Sequence, residues 1–397
     1  MKLANPEQMG FSGERLTRIT EFMQRYVDEG KIAGFVTLVA RKGNIVYFDK
    51  CGYQDIASKI PISIDTIFRI YSMTKPITST ALMMLFERGL VRLEDPLSKY
   101  IPQFKKCKVL GEAGRLLDLD REILIHDLLD HTAGLSYGGY ADTRLPVDKL
   151  YDQANLFDPT ITLEEMVLRI AELPLAFQPG SKWLYSMATD VIGRLIEIIS
   201  GSPLPDFIND KVCKPLGMKD TAFLVTSSKV KRLSTLYGKG KESDLAVLDE
   251  AIGGDYFKTK LYLGGSGMVS TLADYYRFAQ CVLNKGELEG VRLLGTKIVE
   301  YMTCNHLHAA LLPIVMGITP MPGMGFGLGY SVMMDVAQSG MMGSVGLHGW
   351  GGWANTHFWV DPREQLVGIL MMQYIPSGTY QVTNDFRTAV YQAMIDG

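Results

Sequence analysis

Apolar residues recur every three or four positions between residues 14 and 29, with Leu16, Ile19, Phe22, Met23 and Tyr26 on one stripe. That period predicts an amphipathic helix, ended by Gly30. Segments 35–41 and 44–53, rich in β-branched and aromatic residues, predict two strands joined by a tight turn at Lys42-Gly43. An apolar lead-in at Ile67, Phe68 and Ile70 precedes Ser72-Met73-Thr74-Lys75-Pro76, and good helix formers run from Ile77 to Phe86 before Gly89. Serine suits a cap or first turn, and proline is tolerated in a first turn, so a helix is expected to begin at Ser72.

From Leu90 to Glu250 the pattern turns mainly helical, as at Leu163–Ala171 and 189–200, with Pro/Gly loops around Pro102, Gly134, Pro179 and Pro203. The charged passage 227–249 reads as a surface excursion. Strand patterns return at 327–335, 356–361 and 365–373, and 383–395 predicts a last helix. No repeat of fixed period is present. The expected fold is therefore α+β, with a mixed, largely antiparallel sheet flanked by helices. Both chain ends (1–90 and 250–397) supply the sheet domain, a mainly helical domain (91–249) is inserted, and a cleft lies between them.

At 397 residues and 47% hydrophobic content the chain can build two domains or one large one. A net charge of −3, with no basic run interleaved with aromatics, argues against nucleic acid. No apolar stretch reaches the length of a membrane span. The opening residues lack the apolar centre of a signal peptide, Glu14 and Arg15 coming soon after, which points to the cytoplasm. Cys51, Cys107, Cys213, Cys281 and Cys304 are scattered without a Cys-x-x-Cys pair and are expected as reduced thiols. His306-x-His308 has no acidic partner at ligand spacing, so neither metal nor cofactor is expected.

The candidate chemistry starts at Ser72. Residues three apart share a helix face, so the Ser72 hydroxyl and the Lys75 amine can meet in one space. A serine becomes nucleophilic when a nearby base takes its proton, and a lysine can be that base when burial disfavours its charged form. Tyr185, on a loop between Pro179-Gly180 and the helix from Thr189, can reach into a cleft and exchange protons. The stretch Gly346-Leu347-His348-Gly349-Trp350-Gly351-Gly352-Trp353 suggests a strand whose backbone approaches something closely and lends N–H groups to an oxyanion hole. Gly134-Leu135-Ser136-Tyr137-Gly138 matches the Gly-x-Ser-x-Gly elbow, but neither a preceding strand nor a following helix surrounds it, so Ser136 is a poor nucleophile candidate.

In order, Ser72-Met73-Thr74-Lys75, Tyr185-Ser186 and the glycine-rich segment resemble the serine β-lactamase and penicillin-binding protein superfamily. The phrases Phe68-Arg69-Ile70-Tyr71 and Leu128-Leu129-Asp130-His131-Thr132-Ala133-Gly134-Leu135 extend the likeness over most of the chain. Within the superfamily the chain is most similar to family VIII carboxylesterases and the related class C β-lactamases. Two departures matter. Met187 stands where Tyr-x-Asn would place asparagine, and Trp350-Gly351-Gly352 (or, in another register, His348) stands where Lys-Thr-Gly would place lysine. A neutral residue there removes a cation for a substrate carboxylate, which favours neutral esters.

The resemblance implies an acyl-enzyme on Ser72, with Lys75 or Tyr185 as first base. It also implies an oxyanion hole from the N–H groups of Ser72 and Trp353. Trp350, Gly351, Gly352, His348, Tyr137 and Trp183 become candidate substrate contacts, with Trp353 also in the wall. The expected activity is a carboxylesterase acting on short-chain esters of small molecules. A β-lactamase, a D-Ala-D-Ala peptidase, an acyltransferase or a non-catalytic penicillin-binding-like protein are the alternatives.

Overall fold

The structure, a computed structural model, describes residues 2–240, 244–248 and 256–396. Helix α1 (Gly13–Asp28) is capped by Ser12, whose side chain accepts the Arg15 N–H, and it buries Leu16, Ile19 and Met23. Phe22, expected on the buried stripe, is 37% exposed, with the Arg25 guanidinium over its ring. It lies at the stripe's edge, where a helix shows its flank to solvent. Strands β1 (Gly34–Arg41) and β2 (Asn44–Asp55) follow, with Lys42 and Gly43 both at positive φ. That pair of left-handed residues gives the turn whose twist matches a hairpin. The short β3 (Ile60–Pro61) completes this corner.

Helix α2 (Thr74–Glu87) begins after a tight 3₁₀ turn at Tyr71–Met73, and Gly89 follows it at positive φ. Its residues from Thr74 to Met83 are all buried, so it runs through the interior. Nearby are α3 (Ile125–Leu129) and α4 (Leu163–Ala171), both packed on α5 (Ala188–Ser200). α2 packs directly on α5. Thr162 and Glu165 form a reciprocal capping box that starts α4 at the predicted residue.

Helix α6 (Leu272–Leu283) precedes strands β4 (Met324–Phe326), β5 (Ser331–Met333), β6 (His348–Gly351), β7 (His357–Asp361) and β8 (Leu366–Met372), and α7 (Val382–Tyr391) closes the chain. These strands form one sheet in the order β4-β5-β6-β7-β8-β1-β2-β3. The two chain ends meet where β1 pairs with β8, Phe35 opposite Met372 and Arg41 opposite Leu366. Successive side chains on a strand point to opposite faces. Phe358 on β7 accordingly packs against Tyr275 of α6, and its neighbour Trp359 packs against Phe386 of α7. Both faces are covered, and every residue of β1 and β8 is buried.

Three expectations change. The eight-stranded sheet is antiparallel at each pairing, not mixed; a parallel pairing joins Tyr237–Gly238 to Tyr374–Ile375 in a small separate sheet. The expected strand 327–335 is broken: the chain turns at Gly327–Tyr330 so that β4 and β5 pair with each other. Gly329, at φ +95°, makes that turn possible. The passage 227–249 is not wholly on the surface, because Tyr237 is buried in the small sheet. Asp249 and Glu250, where the sequence suggests a domain boundary, lie outside the described residues. Among the described residues, no helix is long and apolar enough to cross a membrane.

Candidate active site

The turn that carries Ser72 is held from two sides. Tyr71 sits at φ 41°, a left-handed conformation that costs a bulky residue of order 1 kcal/mol or more. Its ring packs edge-on against Trp353, 5.8 Å between centroids. Beyond β6, Thr356 Oγ1 donates to the Ile70 carbonyl at 3.3 Å. A Cβ on Gly352 would collide with that same carbonyl, so only glycine lets the end of β6 come this close. The glycine-rich strand end and the Ser72 turn are thus built against each other.

Ser72 Oγ lies 2.6 Å from the Tyr185 hydroxyl, which donates to it, and 3.3 Å from Lys75 Nζ. Lys75 is fully buried. Its amine also donates to the Tyr137 hydroxyl and to the Gly265 carbonyl, both at 2.8 Å. The Tyr185 ring lies 4.6 Å from Nζ and the Tyr137 ring 5.1 Å, so the amine sits between two electron-rich faces. Trp350 Nε1 donates to the Tyr185 hydroxyl at 3.3 Å. The indole N–H thus supplies the phenol oxygen with a hydrogen bond that brings no charge.

Two buried groups stand behind this constellation. Asp190, in the first turn of α5, accepts the Gly265 N–H at 2.8 Å through Oδ1. Burial pushes its carboxyl up to about 6, against the opposing pulls of Lys75 and the Gly265 N–H. His131 contacts Ser186 Oγ at 3.3 Å and stacks near the Tyr185 ring, 5.0 Å between centroids. Burial holds its imidazole well below the usual range and therefore neutral. Burial raises the Tyr137 phenol well above its ordinary value, with Asp190 and Tyr185 adding to the effect.

A cavity of about 530 Å³ opens over Ser72. Tyr137, Tyr185, Trp350, Gly351, Gly352 and Trp353 all line it. The hairpin of Ile314–Met316 and Thr319–Met321 overhangs it with Met316, Ile318 and Met321. Among the described residues no lysine or arginine is in its wall. Trp353 lines this cavity, and its backbone N–H has no protein acceptor among the described residues, which leaves it free for an oxyanion.

Two sequence candidates do not reach the cavity. Trp183 is buried behind Tyr185, its ring stacked 6.5 Å away and also against Phe326, so it backs the phenol and does not line the cavity. His348 is 2% exposed on β6 and packs against Tyr330. Strand alternation decides this: Trp350 and His348 share one face, but the cavity opens only over the strand end. Ser136 is fully buried and donates to Asp148 at 2.7 Å, which leaves its oxygen no path to substrate. His306 pairs with His126, Nδ1 to Nε2 at 2.9 Å, and not with His308. Among the described residues no cluster of three or more His, Cys, Asp or Glu side chains is arranged to hold a metal.

His348 carries a pH prediction. Its Nδ1–H donates to the Gly346 carbonyl at 3.0 Å, while Nε2 is buried with no partner. Burial pushes it from 6.5 down to about 4. The unfolded chain then binds a proton that the folded chain refuses, so stability present above pH 6.5 is lost as pH falls through about 4. His348→Gln should flatten the acid side of the stability curve by up to about 1.4 kcal/mol per pH unit. Urea unfolding at about pH 7.5 and 5 measures it, and equal slopes in both proteins would refute the assignment.

A profile of the Beta-lactamase family matches residues 19–392. The chain belongs to the β-lactamase family. It is a serine hydrolase of that family, with the β-lactamase/transpeptidase-like fold. Protein Rv1367c of Mycobacterium tuberculosis (strain ATCC 25618 / H37Rv) is 34% identical over 364 residues, 88% of each chain. Esterase EstB of Burkholderia gladioli is 30% identical over 373 residues, 89% of each chain. Among solved structures, EstCE1, described as a hydrolase with promiscuous acyltransferase activity, is similar at a TM-score of 0.81 and 28% identity. That likeness covers 95% of this chain and 99% of EstCE1.

Within this β-lactamase-family chain, pattern reasoning missed three contacts. The Gly265 carbonyl has no side chain to betray it. Tyr137 was expected as a substrate contact, and the bond its hydroxyl makes with Lys75 was not foreseen. Asp190 resembles an ordinary acidic residue in a helix first turn, although its neighbours Val191 and Ile192 mark a buried face.

Proposed function

We propose that the chain is a carboxylesterase that cleaves neutral, short-chain esters of small molecules through an acyl-enzyme on Ser72. The observation that carries this reading is that the wall around Ser72, rich in aromatic residues and carrying the Asp142 carboxylate, holds no lysine or arginine among the described residues, while a neutral indole N–H bonds the Tyr185 hydroxyl. A β-lactam or D-Ala-D-Ala substrate brings a carboxylate, and burying it in such a wall without a cation is costly. A neutral ester carries no such cost. The similarity to EstB and EstCE1 supports the same reading.

In the proposed reaction Lys75 takes the Ser72 proton as Oγ attacks the ester carbonyl carbon. The N–H groups of Ser72 and Trp353 stabilise the oxyanion. Tyr185 protonates the departing alkoxide, held in place by the Trp350 indole, and water then releases the acid by the reverse route. A second reading, transfer of the acyl group to an alcohol, draws on the open aromatic cavity and on the acyltransferase activity named for EstCE1. New ester products after adding an alcohol would reveal it.

Substrate preference tests the first reading. We expect kcat/KM for p-nitrophenyl acetate to exceed that for a cephalosporin by about 100-fold or more. Equal or greater turnover of the cephalosporin would contradict it.

A further inference from the structure

Asp190 is fully buried, yet one of its carboxylate oxygens does no visible structural work. Oδ1 accepts the Gly265 N–H at 2.8 Å, and the carbonyl of the same glycine accepts Lys75 Nζ at 2.8 Å. Oδ2 is buried with no hydrogen-bond partner among the described residues. A Cβ on Gly265 would lie 2.8 Å from this oxygen and 2.9 Å from the Tyr137 hydroxyl, which is itself bonded to Lys75. An unsatisfied buried carboxylate oxygen costs stability, and an asparagine would hold the Gly265 N–H equally well. What an asparagine cannot supply is negative charge opposite the amine.

We propose that Asp190 is a positioning residue for the Ser72 reaction, fixing Lys75 through the Gly265 peptide and offsetting the charge that Lys75 gains when it takes the Ser72 proton. The inference rests on the Ser72–Lys75 reading above. In the step, the Ser72 O–H bond breaks, its proton forms a third N–H bond on Lys75, and the oxygen's electron pair forms the bond to the ester carbonyl carbon. The ammonium so created faces Tyr137 and His131, from the segment after α3, and Tyr185, from the loop before α5. Burial keeps Tyr137 a neutral phenol and His131 a neutral imidazole. Among these groups Asp190 is the one that can answer a positive charge with a negative one.

The pH dependence follows in sign. Protonated Asp190 leaves the new ammonium uncompensated, so ester turnover is expected to fall as pH drops below about 6. Asp190→Asn mimics the protonated carboxyl at every pH and keeps the Gly265 acceptor. It should lower kcat for p-nitrophenyl acetate about tenfold or more, change KM by less than about threefold, and lose the activity limb near pH 6.

A wild-type pH profile in Asp190→Asn, with or without reduced thermal stability, would overturn the assignment. Should the asparagine variant not fold, Asp190→Ser is read in the same way, with loss of the limb supporting the proposal and its retention overturning it. The two readings fail separately. Ser72→Ala with undiminished turnover removes the nucleophile reading, whereas an inactive Ser72→Ala beside an unaltered Asp190→Asn removes only the role of Asp190.

Discussion

Ser72→Ala is expected to fold normally and to hydrolyse p-nitrophenyl acetate about 10⁴-fold more slowly than the wild type, or worse. The fold should survive because Ser72 is only partly buried and its hydroxyl serves no element's cap. Its oxygen instead collects Tyr185 at 2.6 Å and Lys75 at 3.3 Å, the contacts the proposed attack requires. Groups that act as a unit lose almost everything when one is removed, so the residual rate should reflect binding and the oxyanion donors alone. Circular dichroism establishes folding, and initial rates over a range of ester concentrations establish the loss. A variant retaining more than about a tenth of wild-type kcat/KM would remove Ser72 from the reaction.

Lys75→Met carries the second large effect, a fall in kcat/KM of about 10³-fold. Methionine fills a similar length in the buried channel without a base. It also leaves the Gly265 carbonyl and the Tyr137 hydroxyl short of a donor, at about 1–3 kcal/mol each. Stability should therefore fall together with activity, and thermal unfolding measured beside the kinetics separates the two. The variant also decides between the two candidate bases. If Lys75→Met stays within about tenfold of wild type while Tyr185→Phe is inactive, the phenol of Tyr185 is the first base.

Much of the scaffold was visible in the chain because burial imposes periods on sequence. The stripe on α1, the hairpin at Lys42-Gly43 and the helix starting at Leu163 each follow from local rules, and each stands within a few residues of its predicted place. The pairing of β1 with β8 joins residues more than 300 apart, and the apolar runs alone suggested only that both ends enter one sheet. Ser72, Lys75 and Tyr185 could be singled out because their side chains can attack or exchange protons, and the structure brings both Lys75 and Tyr185 within hydrogen-bond reach of Ser72.

What stayed hidden depends on geometry that no residue type announces. Trp183 and Tyr185 lie two apart on one loop, yet one backs the phenol and the other lines the cavity. His348 and Trp350 lie two apart on one strand, and only the second reaches the phenol. The Lys75 amine is gripped by a backbone carbonyl 190 residues away, a contact that leaves no trace in composition or spacing.

Intact mass spectrometry after exposure to a fluorophosphonate tests the central claim most directly. The account predicts one adduct on the wild-type chain, carried by the peptide containing Ser72, and none on Ser72→Ala. An adduct that persists in Ser72→Ala, or one mapped to Ser136, would contradict it.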